Sequence, residues 1–141
     1  MSDSSSESAQ NQRPHALTAA VLEFDLRAET EKLQQQDSFR DGRPTGRTLV
    51  KEPDLRIVLM TLKAGARLEE HHASGPISVQ ALSGTIRMRL AGRGAELTQG
   101  QLLMLEPGIP HDVDAVTDAA FLLTIGRTRY QDVSDHHEPR Q

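Results

Sequence analysis

From Arg47 to Ile125 the chain is a succession of short apolar or alternating runs, each cut off by Gly, Pro, Ser or Asp. "RTLVKE", "LRIVLMTL", "RLEEHHA", "ISVQAL", "TIRMRL", "AELTQ", "QLLMLE", "HDVDAV" and "AAFLLTI" follow one another at intervals too short for helices of ordinary length. Strands this brief, at this spacing, predict an all-β sandwich or barrel. "TIRMRL" alternates, with Ile86, Met88 and Leu90 on one face and Arg87 and Arg89 on the other. "LRIVLMTL" does not alternate. Leu55, Ile57 and Leu59 form one apolar face, and Val58, Met60 and Leu62 the other. A half-exposed strand would be polar on one side, so a helix or a partner subunit is expected to cover its second face.

The 141 residues suffice for one domain. Ahead of the strands, Asp25 is placed to cap a helix carrying Leu26 and Leu33 on one face and running to about Gln36. Gly42, Pro44 and Gly46 read as the loop that ends this segment. Residues 1–15 and 129–141 are polar enough to be read as disordered tails. The second contains His136 and His137, which read as solvated. The expected organisation is therefore a tail (1–15), a helix with its loop (16–48), a β-barrel (49–128) and a second tail (129–141).

Charge and composition narrow the function classes. Asp and Glu outnumber Lys and Arg by 20 to 16, which argues against a nucleic-acid surface. There is no cysteine, hence no disulfide, thiolate site or cysteine nucleophile. No apolar run approaches the ~20 residues of a membrane helix, and "MSDSSSESAQNQ" lacks the form of a secretory leader. A soluble, cytoplasmic protein without a membrane partner is expected. Gly-x-Ser-x-Gly, phosphate-loop and Gly-x-Gly-x-x-Gly patterns are all missing.

Two blocks carry the chemistry. In the first, five residues separate Gly65 from His71, and Gly84 follows thirteen residues after that histidine. The second is "GQLLMLEPGIPH", from Gly100 to His111. Gly65, Gly84 and Gly100 suit tight turns with positive φ or close backbone approach. Pro107 and Pro110 stiffen the corner before His111.

This skeleton resembles the cupin family, over about Leu55 to Ile125. The resemblance implies a jelly-roll β-barrel, a homodimer in many members, and a metal held by two histidines and a glutamate of the first block and a histidine of the second. His71 and His111 match the first and last of these ligands. The other two positions fall on Ala73 and Ile77, which cannot donate an electron pair. Shifting the register to begin at His72 places Ser74 and Ser78 at the next positions. His72 would need a bulge to join His71 on one face. Glu69, two residues before His71, would share its face in a regular strand and complete a set of two imidazoles and a carboxylate.

Two readings follow. The first is a protein that binds a small molecule in the barrel mouth beside a degenerate metal site, with His71, His111, Ile77, Val79 and Ala81 around the pocket. The second is an enzyme, a small dioxygenase or isomerase, holding a divalent metal ion through His71, His111 and an unorthodox third ligand, His72 or Glu69. A module with its pocket packed shut is the third class. Asp112 and Asp114, on the strand face opposite His111, read as solvated carboxylates.

Overall fold

In a computed structural model, residues 21–71 and 74–127 are described. The expected tails and the His136–His137 pair lie outside them, as do His72 and Ala73. Among the described residues the chain forms two helices, α1 (Leu26–Gln34) and α2 (Asp37–Arg40). The strands are β1 (Thr45–Lys51), β2 (Leu55–Leu62), β3 (Arg67–His71), β4 (Ile77–Ser83) and β5 (Thr85–Leu90). They continue with β6 (Arg93–Thr98), β7 (Leu102–Leu105), β8 (His111–Ala115) and β9 (Ala119–Gly126). One sheet runs β1-β2-β9-β4-β7 and the other β3-β8-β5-β6. All pairings are antiparallel. Neighbours in each sheet are mostly distant in sequence, as in a jelly roll.

The inner faces of the two sheets bury one aliphatic core, including Leu62, Val79, Ile86, Met88, Val113 and Phe121. The alternation of "TIRMRL" holds, since Ile86 and Met88 are fully buried while Arg87 and Arg89 point outward. Gly65, Gly84 and Gly100 all have positive φ.

Helix α1 begins where expected. Asp25 is its N-cap, and its carboxylate accepts a hydrogen bond from the Ala28 amide at 3.1 Å. The helix covers the second face of β2. Leu33 joins Leu49, Val50 and Leu59 in a separate cluster, with Phe24, Leu26, Ile57 and Leu122 packed against it. The two apolar faces of "LRIVLMTL" thus serve two cores, Ile57 and Leu59 below the helix and Met60 and Leu62 between the sheets.

An ion pair also ties the helix down. Glu29, 8% exposed, accepts from Arg47 on β1. The Arg47 Nη2 atom is buried with no hydrogen-bond partner among the described residues. Removing the carboxylate would leave a half-buried cation uncompensated. Glu29→Ala is expected to lower the free energy of unfolding by about 2 kcal/mol. A Glu29→Leu, Arg47→Met pair should recover most of that loss, since it removes both charges. Urea denaturation of the three proteins checks the comparison.

Two local features depart from expectation. A second, four-residue helix follows the first and buries Phe39. Gly46 is not in a loop but in β1, opposite Met60. The Met60 sulfur fills the space a Cβ at residue 46 would need. The glycine there makes room for a neighbour instead of turning the chain. Among the described residues, no helix is long and apolar enough to cross a membrane.

Candidate functional site

His111 is the first residue of β8, delivered by the corner that contains Pro107, Gly108 and Pro110. Gly108 takes a φ of 83° there. Residues 111, 113 and 115 face the core and residues 112 and 114 face outward. His111 is 3% exposed, and its Nδ1 lies 3.0 Å from the Ile109 carbonyl oxygen. A carbonyl only accepts, so Nδ1 donates. In the neutral ring the lone pair then sits on Nε2.

Strand β3 lies beside β8. Leu68 is opposite Val113 and His71 is opposite His111, so three steps along β3 match two along β8. The extra residue is a β-bulge. Two histidine positions forty residues apart in sequence are thereby backbone partners across the strand pair.

Glu69 lies within this register shift, between Leu68 and residue 71. Glu69 is exposed. Ile77, Val79 and Ala81 are successive inward residues of β4, at 3%, 1% and 0% exposure, packed in the main core. Gln80, on the other face of β4, pairs with Leu102. Among the described residues, no three His, Asp or Glu side chains are placed to hold a metal ion. Of the four ligand positions that the resemblance implies, two are Ala73 and Ile77, which cannot donate an electron pair to a metal. The expected glutamate position is an isoleucine committed to the core. The positions of His72 and Ala73 are outside the described residues.

A cleft of about 240 Å³ opens at this end of the sheet, lined by Arg89, Leu90, Ala91, Pro110, His111 and Asp112. Its walls combine aliphatic carbon with an imidazole and an ion pair. That mixture suits a small ligand with one or two polar groups.

Asp112 and Asp114 are not solvated as expected. They are the centre of an ionic ladder on the outer face of the four-stranded sheet. The Asp112 side chain is 9% exposed and accepts from Arg67 at 2.7 Å. Arg89 Nη1 is 3.3 Å from Asp114 and 3.7 Å from Asp112, and Arg87 reaches Asp114 at 3.3 Å. The hydrogen bond from Arg67 to Asp112, with the carboxylate's charge, raises the guanidinium pKa above its ordinary value, so this cation persists at any working pH. The register sets Arg87 opposite Asp114 and Arg89 opposite Asp112. A signal existed in the sequence, since "TIRMRL" and "HDVDA" carry opposite charges at the same alternate spacing. Their complementarity follows only once β5 and β8 are known to pair.

No family model matches the chain, and no curated protein matches it. Solved structures do. A conserved protein of unknown function from Streptococcus pyogenes is 26% identical, with a TM-score of 0.64, over 81% of this chain and 94% of that one. A cupin 2 conserved barrel domain protein from Leptotrichia buccalis is also 26% identical, with a TM-score of 0.62, over 69% of this chain and 45% of that one. Salicylate 1,2-dioxygenase from Pseudoaminobacter salicylatoxidans has a TM-score of 0.64 at 17% identity, over 73% of this chain and 34% of that one. This last likeness is one of fold alone.

Proposed function

We propose that this chain, a cupin by fold, binds a small organic molecule at the barrel end where residues 71 and 111 oppose each other. In this reading it works without the four-ligand metal centre that the resemblance implies. The observation that carries the proposal is the bulge in β3, which spends an extra residue to set residue 71 opposite His111 while Glu69 is left exposed. Bulges are over-represented beside functional sites. Here the register shift pairs the backbone positions of two histidines, while Ile77 stands where the resemblance would place a carboxylate ligand. His111 is anchored to its own corner through Nδ1 and lines the cleft. An imidazole in the wall suits a ligand that carries a hydroxyl or amide group. The aliphatic wall of the cleft takes the ligand's carbon skeleton.

The test has two arms. After purification with chelator and dialysis against equimolar zinc, nickel, manganese and ferrous iron, elemental analysis should find far less than one ion per chain. A fragment library screened by ligand-observed NMR should yield small hydroxyl- or amide-bearing binders. His111→Ala should weaken them roughly tenfold or more, the effect expected from losing a buried hydrogen bond. One tightly retained ion per chain overturns the metal-free reading and favours the second one, a metal-dependent enzyme using His71, His111 and a third ligand such as His72. Fragment affinities unchanged by His111→Ala would remove the site from this end of the barrel.

A further inference from the structure

We infer that the chain carries a second small-molecule site, outside the barrel between α1 and the end of β4, which takes a free α-amino acid with an apolar side chain. A groove of about 520 Å³ opens there, within the range of about 300–1,000 Å³ that small-molecule sites occupy. Leu26 of α1 and Leu82 of β4 supply its carbon. Arg27 and Glu31 stand one helical turn apart on its wall. Gln34, Ser83 and Gln99 add two amides and a hydroxyl. The groove lies on the five-stranded sheet, whereas His111 belongs to the four-stranded one, so it is separate from the cleft beside His111.

The polar groups of this groove are uncommitted. Among the described residues, the side chains of Arg27, Glu31, Gln34, Ser83 and Gln99 make no hydrogen bond and no ion pair. The outer face of the other sheet is the contrast, since Arg67, Arg87 and Arg89 are all engaged by Asp112, Asp114 and Glu96. Arg27 and Glu31 are four residues apart, where side chains on a helix are neighbours with Cβ atoms about 5–6 Å apart, yet they are not paired. Their order is also the unfavourable one for the helix itself. A helix prefers negative charge in its first turn and positive charge in its last. Glu29 and Lys32 follow that preference, whereas Arg27 and Glu31 reverse it. The reversal suits a ligand whose charges run the other way. An amino acid set along the groove puts its carboxylate on Arg27, toward the positive end of the helix dipole, and its ammonium on Glu31, toward the negative end. The guanidinium fork can hold that carboxylate by two parallel hydrogen bonds. The ligand's apolar side chain then lies against Leu26 and Leu82. A ligand with a single charge would meet one like charge in the groove, and an internal peptide segment would bring neither of the two charges required.

Titration of the isotope-labelled full chain with L-leucine and L-phenylalanine, followed by two-dimensional NMR, tests this. The amide signals of Ser83 and Gln99 should shift, with a dissociation constant at or below about 1 mM. Phenylalanine methyl ester lacks the carboxylate charge and N-acetylphenylalanine lacks the ammonium. Each should bind roughly tenfold more weakly than phenylalanine, the effect of losing one charge-assisted contact. Arg27→Gln should close the gap between phenylalanine and its methyl ester while leaving the gap to N-acetylphenylalanine open, and Glu31→Gln should do the reverse. Both changes place a good helix former at an exposed position of α1, so circular dichroism should show the wild-type fold. Signals of Ser83 and Gln99 that stay unmoved at about 10 mM amino acid, well above the weak end of specific binding, overturn the proposal. Capped derivatives that bind as tightly as phenylalanine, or gaps that persist in both variants, overturn it equally.

Discussion

Gly84→Ala should lower the free energy of unfolding by about 4 kcal/mol, from backbone strain together with a steric clash. For an ordered region of this size the melting temperature should fall by about 15 °C. Two costs add. Gly84 has a φ of 71°, a conformation that costs a residue with a Cβ about 1–2 kcal/mol. The clash costs more. A Cβ built there collides with the Asp118 carbonyl oxygen and lies 2.8 Å from Thr117 Oγ1 and 2.9 Å from the Ala119 Cα. Those atoms are mostly backbone and cannot swing aside. They belong to the β8–β9 turn, which is itself held in place. Thr117 Oγ1 accepts from the Thr85 amide at 3.0 Å and Asp118 Oδ1 accepts from the Ala64 amide at 2.8 Å. Relieving the clash therefore means loosening three turns at one end of the barrel. Gly92→Ala is the internal control. Its φ is 80°, yet nothing lies within 4 Å of its added Cβ, so only the conformational cost of about 1 kcal/mol applies. Thermal unfolding followed by circular dichroism separates the two. Equal losses in both variants would mean that the β8–β9 turn moves away freely.

Gly84 also illustrates what a sequence discloses. A glycine between two alternating runs marks a turn because the constraint is local: positive φ is needed within one or two residues of it. The inward set of β5 is legible for the same reason, since alternation is a property of a single strand. Features that depend on which strands meet are not. The bulge in β3 has no mark of its own in "RLEEH", which reads as a regular strand. It shows only in the pairing of β3 with β8, where Leu68 is opposite Val113 and residue 71 is opposite His111. A regular β3 would put Glu69 on the face of residue 71, and the reading of Glu69 as a third donor rests on that assumption about register. Asp112 and Asp114 look solvated for a similar reason, because the arginines that cover them lie on β3 and β5. Gly46 resembles a turn glycine because the reason for a glycine there, the Met60 side chain, comes from another strand. Local grammar therefore suffices for the strands, the cap at Asp25 and the skeleton of the family. The chemistry of the site depends on cross-strand register, which a sequence without its pairing does not contain.

The double apolarity of "LRIVLMTL" lies between these cases, and it sets up the second large effect. The strand announces that something must cover it, and Leu33 of α1 is what arrives. Leu59→Ala should cost about 3 kcal/mol, since a leucine with no exposed surface loses its burial and leaves a cavity. That loss alone does not identify the cover, because a partner subunit would give it too. Leu33→Ala does. At 4% exposure it should cost about 2–3 kcal/mol if the helix is docked, and within about 0.5 kcal/mol of nothing if the helix stands free in water. The double variant decides whether the two side chains share one cluster. Removing either leaves less for the other to touch, so the combined loss should fall short of the sum by about 1 kcal/mol. Urea denaturation at several protein concentrations completes the argument. If the helix of the same chain covers β2, this coupling is independent of concentration. If a second subunit covered it, the coupling would fade on dilution.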